Sequence, residues 1–162
     1  MRLRQLLLAA VVAGALAVPA AAHATTQGFS GSCRVSGPIV PGRPITLLPV
    51  PEAHFSFSGS GTCSGGLPIT VALKNVGTLF DTCELGPDFG LQGVATIGSQ
   101  NLNITINLAR IAVAGPFLLT TPGGGLALGF AQFAAANPTD CISPGVSTAT
   151  LTASFQTLTP LT

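Results

Sequence analysis

Charge is nearly absent from this sequence, and so are the large amphipathic rings. The 162 residues include no Trp or Tyr, one Met and two His, and charged side chains make up only 7%, against about 25% in ordinary proteins. Past residue 24 the basic side chains are Arg34, Arg43, Lys74 and Arg110, and the acidic ones are Glu52, Asp81, Glu84, Asp88 and Asp140. Neither sign forms a run. A nucleic-acid or anionic-lipid partner is therefore not expected, and no acidic stretch offers itself to a metal or a basic partner. The surface must be wetted by Ser, Thr, Asn and backbone, which suits passive contact better than the steering of an ion.

What is there begins with an export signal. Arg2 and Arg4 form a positive start, Leu6 to Val18 an apolar run, and Ala22-His23-Ala24 an A-x-A cleavage site. The run before Pro19 is shorter than the about 20 residues of a spanning helix, and Thr25, Thr26, Gln27 and Gly28 follow it directly. Residues 1–24 are read as a cleaved signal peptide and 25–162 as a single β-rich extracellular domain. No cysteine stands at the cleavage point to carry a lipid, and Leu158-Thr159-Pro160-Leu161-Thr162 is neither an apolar tail nor a basic stop. The expected protein is secreted, free in the medium or associated with the cell envelope, with no membrane anchor after cleavage.

The remaining length is that of one ordinary domain, able to fold without a metal. Twenty Gly and thirteen Pro scattered through the chain leave little room for a long helix. Between them lie short stretches of period-two alternation. In Asn101–Leu108, Leu102, Ile104, Ile106 and Leu108 fall on one face, and Asn101, Asn103, Thr105 and Asn107 on the other, the pattern of a half-buried antiparallel strand. Ala53–Cys63, Leu67–Leu73 and Ser147–Leu158 read the same way. Weaker candidates are Phe29–Val35, Ile45–Leu48, Val76–Cys83, Leu91–Ile97, Phe117–Thr121 and Leu126–Phe133, the last also having helical spacing. Gly37-Pro38, Pro41-Gly42, Gly65-Gly66, Gly86-Pro87 and Pro122-Gly123-Gly124-Gly125 read as punctuation. The fold class is all-β: a single antiparallel β-sandwich or closed β-barrel of about eight to ten short strands.

Phe29-Ser30-Gly31-Ser32-Cys33 recurs, two residues longer, as Phe57-Ser58-Gly59-Ser60-Gly61-Thr62-Cys63. An insertion of two preserves the alternation, so Phe, Gly and Cys share a face in each copy. The alternative is that Phe-Ser-Gly recurs merely as low-complexity sequence. Four cysteines in an exported domain read as a disulfide framework, and they allow three connectivities. The repeat nominates Cys33–Cys63, which leaves Cys83–Cys141. A zinc site is the competing reading, but there is no C-x-x-C pair and His54 is the one histidine beyond the signal.

With its signal peptide, its Ser-Gly-Ser-Cys opening at 30–33, the Phe-Ser-Phe-Ser-Gly-Ser-Gly-Thr-Cys stretch at 55–63 and Asn-Pro-Thr-Asp-Cys at 137–141, the chain resembles small exported proteins of unknown function from high-GC Gram-positive bacteria. The resemblance implies an exported, cysteine-bridged, β-rich protein and carries no activity with it.

Catalytic constellations are thin. A serine hydrolase needs a base beside its nucleophile, and no serine stands in a G-x-S-x-G elbow. Glu52-Ala53-His54 sets an acid and a base on one strand face, which reads either as an acid/base pair or as an exposed polar pair opposite Phe55 and Phe57. Asp81, Glu84 and Asp88 are the one acidic cluster that would serve a glycosidase, and around Gly86-Pro87 they read as a solvated turn. Gly123-Gly124-Gly125 lacks the helix and lysine of a phosphate cradle, and the Asn103-Ile104-Thr105 sequon is idle behind a bacterial export signal. Thr148, Thr150, Thr152 and Ser154, like Asn101, Asn103, Thr105 and Asn107, line single strand faces that would touch a polymer or simply water. No enzyme, metal or cofactor is expected. The reading favoured is a non-catalytic module working through surface contacts with an envelope polymer or protein. The alternatives are a barrel carrier of a small apolar ligand, recognisable by an interior cavity of several hundred Å³, and a hydrolase built on His54 with a nearby acid.

Overall fold

A computed structural model of the chain describes residues 27–49, 54–74, 82–142 and 144–162. The signal segment, with Ala22 and Ala24, lies outside these residues, as do Glu52, Ala53 and Asp81. Eight strands follow one another along the chain: β1 (Ser32–Pro41), β2 (Phe55–Cys63), β3 (Pro68–Lys74), β4 (Leu85–Ile97), β5 (Gln100–Ile111), β6 (Ala114–Thr120), β7 (Leu126–Ala135) and β8 (Ala149–Thr159). Each pairs antiparallel with the next, and β8 returns to β1 from Ser32↔Gln156 to Ile39↔Ala149. The result is a closed up-and-down barrel. Closure removes the free edges that an open sheet of this sequence would offer to other chains.

Alternation decides which side of the wall each residue faces. On β5 Leu102, Ile104, Ile106 and Leu108 are buried while Asn101 and Asn103 are exposed, as the sequence pattern predicts. On β8 Leu151, Ala153 and Phe155 point inward and Thr150 and Ser154 outward. The repeat also folds as read: Phe57 and Cys63 face the interior, as do Phe29 and Cys33. Eight strands enclose a space that side chains can fill, and here Phe, Leu, Ile, Val and Ala fill it. Inward glycines are sockets for phenylalanine. A Cβ on Gly59 would lie 2.4 Å from the Phe57 ring, and one on Gly129 would lie 2.2 Å from the Phe117 ring. The outer wall is mostly polar but carries exposed Val40 on β1, Phe89 and Val94 on β4, Leu128 and Phe130 on β7 and Leu158 on β8.

Several expectations are corrected by the barrel. Leu126–Phe133 is strand, because its neighbours on both sides supply a complete ladder. Gly37-Pro38 and Gly86-Pro87 do not end strands; they lie inside β1 and β4. Proline is tolerated where one side of the ladder is open. The β1–β2 pairing skips Gly37 and Pro38, and among the described residues the β3–β4 pairing reaches only Lys74↔Gln92, well short of Pro87. Asp88 therefore lies opposite Leu108 in a strand, ahead of a bulge at Gly90 whose φ is +70°. Of Ile45–Leu48 only Ile45 makes a β-bridge, with Val146. Thr82 and Cys83 lie outside the strands, and the rest of the Val76–Cys83 candidate, 76–81, lies outside the described residues.

The two poles of the barrel differ. At one, short turns connect the strands and Phe29 pairs with Leu161, which is fully buried. The other pole carries the long connections 42–54, 75–84 and 136–148, and the two-residue turn Ala112-Val113 between Ile111 and Ala114.

Candidate functional site

Both disulfides form in the pairing nominated by the repeat. Cys33 and Cys63 are direct partners across β1 and β2, with Cα atoms 3.9 Å apart, and they staple the short-turn pole. Cys83–Cys141 joins two of the long connections at the opposite pole.

That loop pole is organised by a residue the sequence reading left among the surface charges. Arg110 follows Leu102, Ile104, Ile106 and Leu108 in the inward register of β5, and it is only 8% exposed. A lone charge at an inward position of an alternating strand was the available signal. The guanidinium donates from Nη1 to the Cys83 carbonyl at 3.1 Å and to the Ala112 carbonyl at 2.7 Å, and from Nη2 to the Thr82 carbonyl. Its Cζ lies 5.5 Å from the centroid of the Phe133 ring. Taking a cation out of water costs several kcal/mol unless donors are matched. A planar fork can meet three carbonyls from different directions where an ammonium on a flexible stem cannot. Arg110 thus ties the segment before β4 to the β5–β6 turn, at the disulfide.

The same pole holds backbone strain. Ala112 has φ +52° at the first central position of its two-residue turn, a place where glycine is usual. Its N–H donates to the Glu84 carbonyl at 2.5 Å while its own carbonyl accepts from Arg110. Cys83 donates to the Thr46 carbonyl at 2.9 Å, and Leu47 donates to the Cys141 carbonyl at 3.2 Å. Three connections and one hairpin are therefore knitted together by main-chain bonds and one cation.

Outward from this knot, large apolar side chains are exposed on connections that also carry exposed Arg43, His54, Glu84 and Thr139. Leu48 is 75% exposed, Ile111 73%, Val113 64% and Ile142 76%, with Leu47 half-exposed beside them. Beneath Val113 lies a cavity of about 90 Å³ walled by Ile39, Phe55, Phe133 and Ala149 as well as Arg110. Two smaller spaces, of about 30 and 50 Å³, lie deeper in the barrel. All three fall well below the several hundred Å³ expected of a carrier for a bulky ligand.

Of the remaining candidate groups, His54 and Glu84 are among the described residues, and both are at the surface. His54 is exposed just before β2, on the outward register with Ser56 and Ser58, and its carbonyl accepts from the Gly42 N–H at 2.6 Å. Glu84 is exposed. Among the described residues no three His, Cys, Asp or Glu side chains lie close enough together to hold a metal ion. Comparison with protein-family models, with curated proteins and with solved structures finds no match to this chain.

Proposed function

We propose that this protein is an exported, non-catalytic barrel that works by surface contact, with the loop pole as its contact face. The observation that carries the reading is the set of protruding apolar side chains Leu48, Ile111, Val113 and Ile142, delivered by two long connections and one hairpin to one end of a rigid scaffold. Loops placed on a closed sheet are where binding residues concentrate, and exposed apolar clusters mark interaction sites. Two disulfides fit an oxidising compartment, in line with the export signal. The mostly polar outer wall and apolar interior invert the pattern of a lipid-facing barrel, so the body of the barrel suits water and the loop pole suits a partner in the cell envelope.

The test uses the mature protein and a Leu48→Ser/Ile111→Ser/Ile142→Ser variant. Secreted protein should begin at Thr25. Wild type should sediment with washed envelopes of the producing cells, and the variant should stay in the medium with an unchanged melting temperature. Equal partitioning of two equally folded proteins overturns the assignment of the loop pole.

A further inference from the structure

We infer that the barrel has an axial site for one unbranched alkyl chain, entered end-on at the loop pole. The three interior spaces lie in series. The mouth cavity and the next share the walls Ile39, Phe55 and Phe133. That second space and the central one share Phe57, Leu73, Leu91, Leu108 and Leu151. Shared walls set each space next to the following one, from Val113 at the loop pole toward the middle of the barrel. Val113 both lines the mouth cavity and is exposed, so the series reaches the surface there. The central space is lined in part by the edge-on pair Phe117 and Phe155.

Composition and width select the ligand. Both inner spaces are lined only by apolar side chains, so a polar group taken there would lose its hydrogen bonds to water without replacement. The middle space, of about 30 Å³, has less room than a ring requires: an apolar cavity of about 150 Å³ is what accommodates benzene. A zigzag methylene chain is the apolar shape that threads it. Inward Ala95, Ala131 and Ala153 supply the room, where larger side chains would close the central space. The polar end of such a ligand stays at the mouth, among the main-chain groups of the loop pole. This site meets the contact face proposed above at Val113 and otherwise uses none of its four apolar side chains.

The probes are straight-chain primary alcohols from butanol to decanol, with adamantanol as the bulky comparator, titrated into mature protein by calorimetry. Burying a methylene is worth about 0.8 kcal/mol, which is about four-fold in affinity at about 1.4 kcal/mol per decade. Affinity should rise about four-fold per carbon over at least three successive alcohols and then level off when the spaces are full. Adamantanol should bind at least ten-fold more weakly than decanol. Ala153→Leu, which fills the central space, should bring the plateau to shorter chains, while the Leu48→Ser/Ile111→Ser/Ile142→Ser variant should keep binding within three-fold. The wild-type series stands as the test even if Ala153→Leu does not fold. Absence of a chain-length dependence, adamantanol binding as tight as decanol, or loss of binding in the loop variant each overturns the axial site. The last result would leave the contact face standing, and loss of envelope binding with the alcohol series intact would do the reverse.

Discussion

Replacing Arg110 by Met removes the cation but keeps a long apolar stem in the inward position. Three carbonyls, of Thr82, Cys83 and Ala112, then lose charged donors, and the Phe133 face loses its cation. A buried acceptor left unsatisfied costs about 1–3 kcal/mol. The full sum will not appear, for two reasons. The desolvation cost of the guanidinium also disappears, and Thr82 and Cys83 lie outside the strands, where local opening can return their carbonyls to water. A net loss of about 2–4 kcal/mol remains, which in a domain of this length is a fall of roughly 6–12 °C in melting temperature. Local opening makes the reasoning specific. Amide exchange should accelerate at Cys83, which bonds Thr46, and at Ala112, which bonds Glu84, while Cys63 and Gly98 at the other pole keep their protection. Arg110→Lys should recover less than half of the loss, since one ammonium cannot reach all three carbonyls. A Met variant melting within 2 °C of wild type, with unchanged exchange at Cys83 and Ala112, would refute the claim that this side chain ties the loop pole together.

Non-reducing peptide maps of the exported protein should contain only the 33–63 and 83–141 links, and free thiols on stable protein would count against the framework. On loop-closure grounds, sequence separations of 30 and 58 make the bridges worth about 3.6 and 4.2 kcal/mol. Cys83→Ser/Cys141→Ser should therefore lower the urea midpoint more than Cys33→Ser/Cys63→Ser, and the opposite order would show that the β1–β2 ladder, not chain entropy, sets the values. Ala112→Gly should be neutral or stabilising by up to about 1 kcal/mol, because the left-handed conformation costs an L-residue about 1–2 kcal/mol and the added chain entropy offsets about 0.5–1 of that relief. A loss above 1 kcal/mol in a urea melt would exclude strain at this turn.

The walls of the barrel were legible because their alternation is written in strong contrasts. Leu102-Asn103-Ile104-Thr105-Ile106 can lie only one way across a half-buried sheet. The disulfide pairing was legible because both copies of the Phe-Ser-Gly repeat keep Cys in phase with Phe, which sets Cys33 opposite Cys63. Strand ends were not. Pro38 and Pro87 read as breaks, since a single sequence does not reveal that the β1–β2 ladder is open at Pro38 or that Pro87 pairs with Ala109 inside β4. Leu126–Ala135 was ambiguous because its Ala, Leu and Phe satisfy helical and strand periods alike, and the choice is made by β6 and β8. The loop pole was hidden for a different reason. Leu48, the adjoining pair Ile111 and Val113, and Ile142 are far apart in the chain and each is unremarkable alone, so only the closure of the sheet brings them to one end. Arg110 was hidden by its residue type, although its register marked it.

Phe29 and Leu161 exchange two backbone hydrogen bonds, of 3.0 and 2.9 Å, and this makes the chain a ring lacking one link. Topologically the barrel has no first strand, since β8 meets β1 as every other strand meets its successor. A short peptide joining the two ends, with new termini opened in the turn at Gly98-Ser99, would give a permuted chain with the same circuit of pairings. The placement of this seam also divides the molecule by use. Anything tethered just before Phe29 or just after Leu161 leaves from the short-turn pole, so the loop pole lies at the opposite end from its attachment.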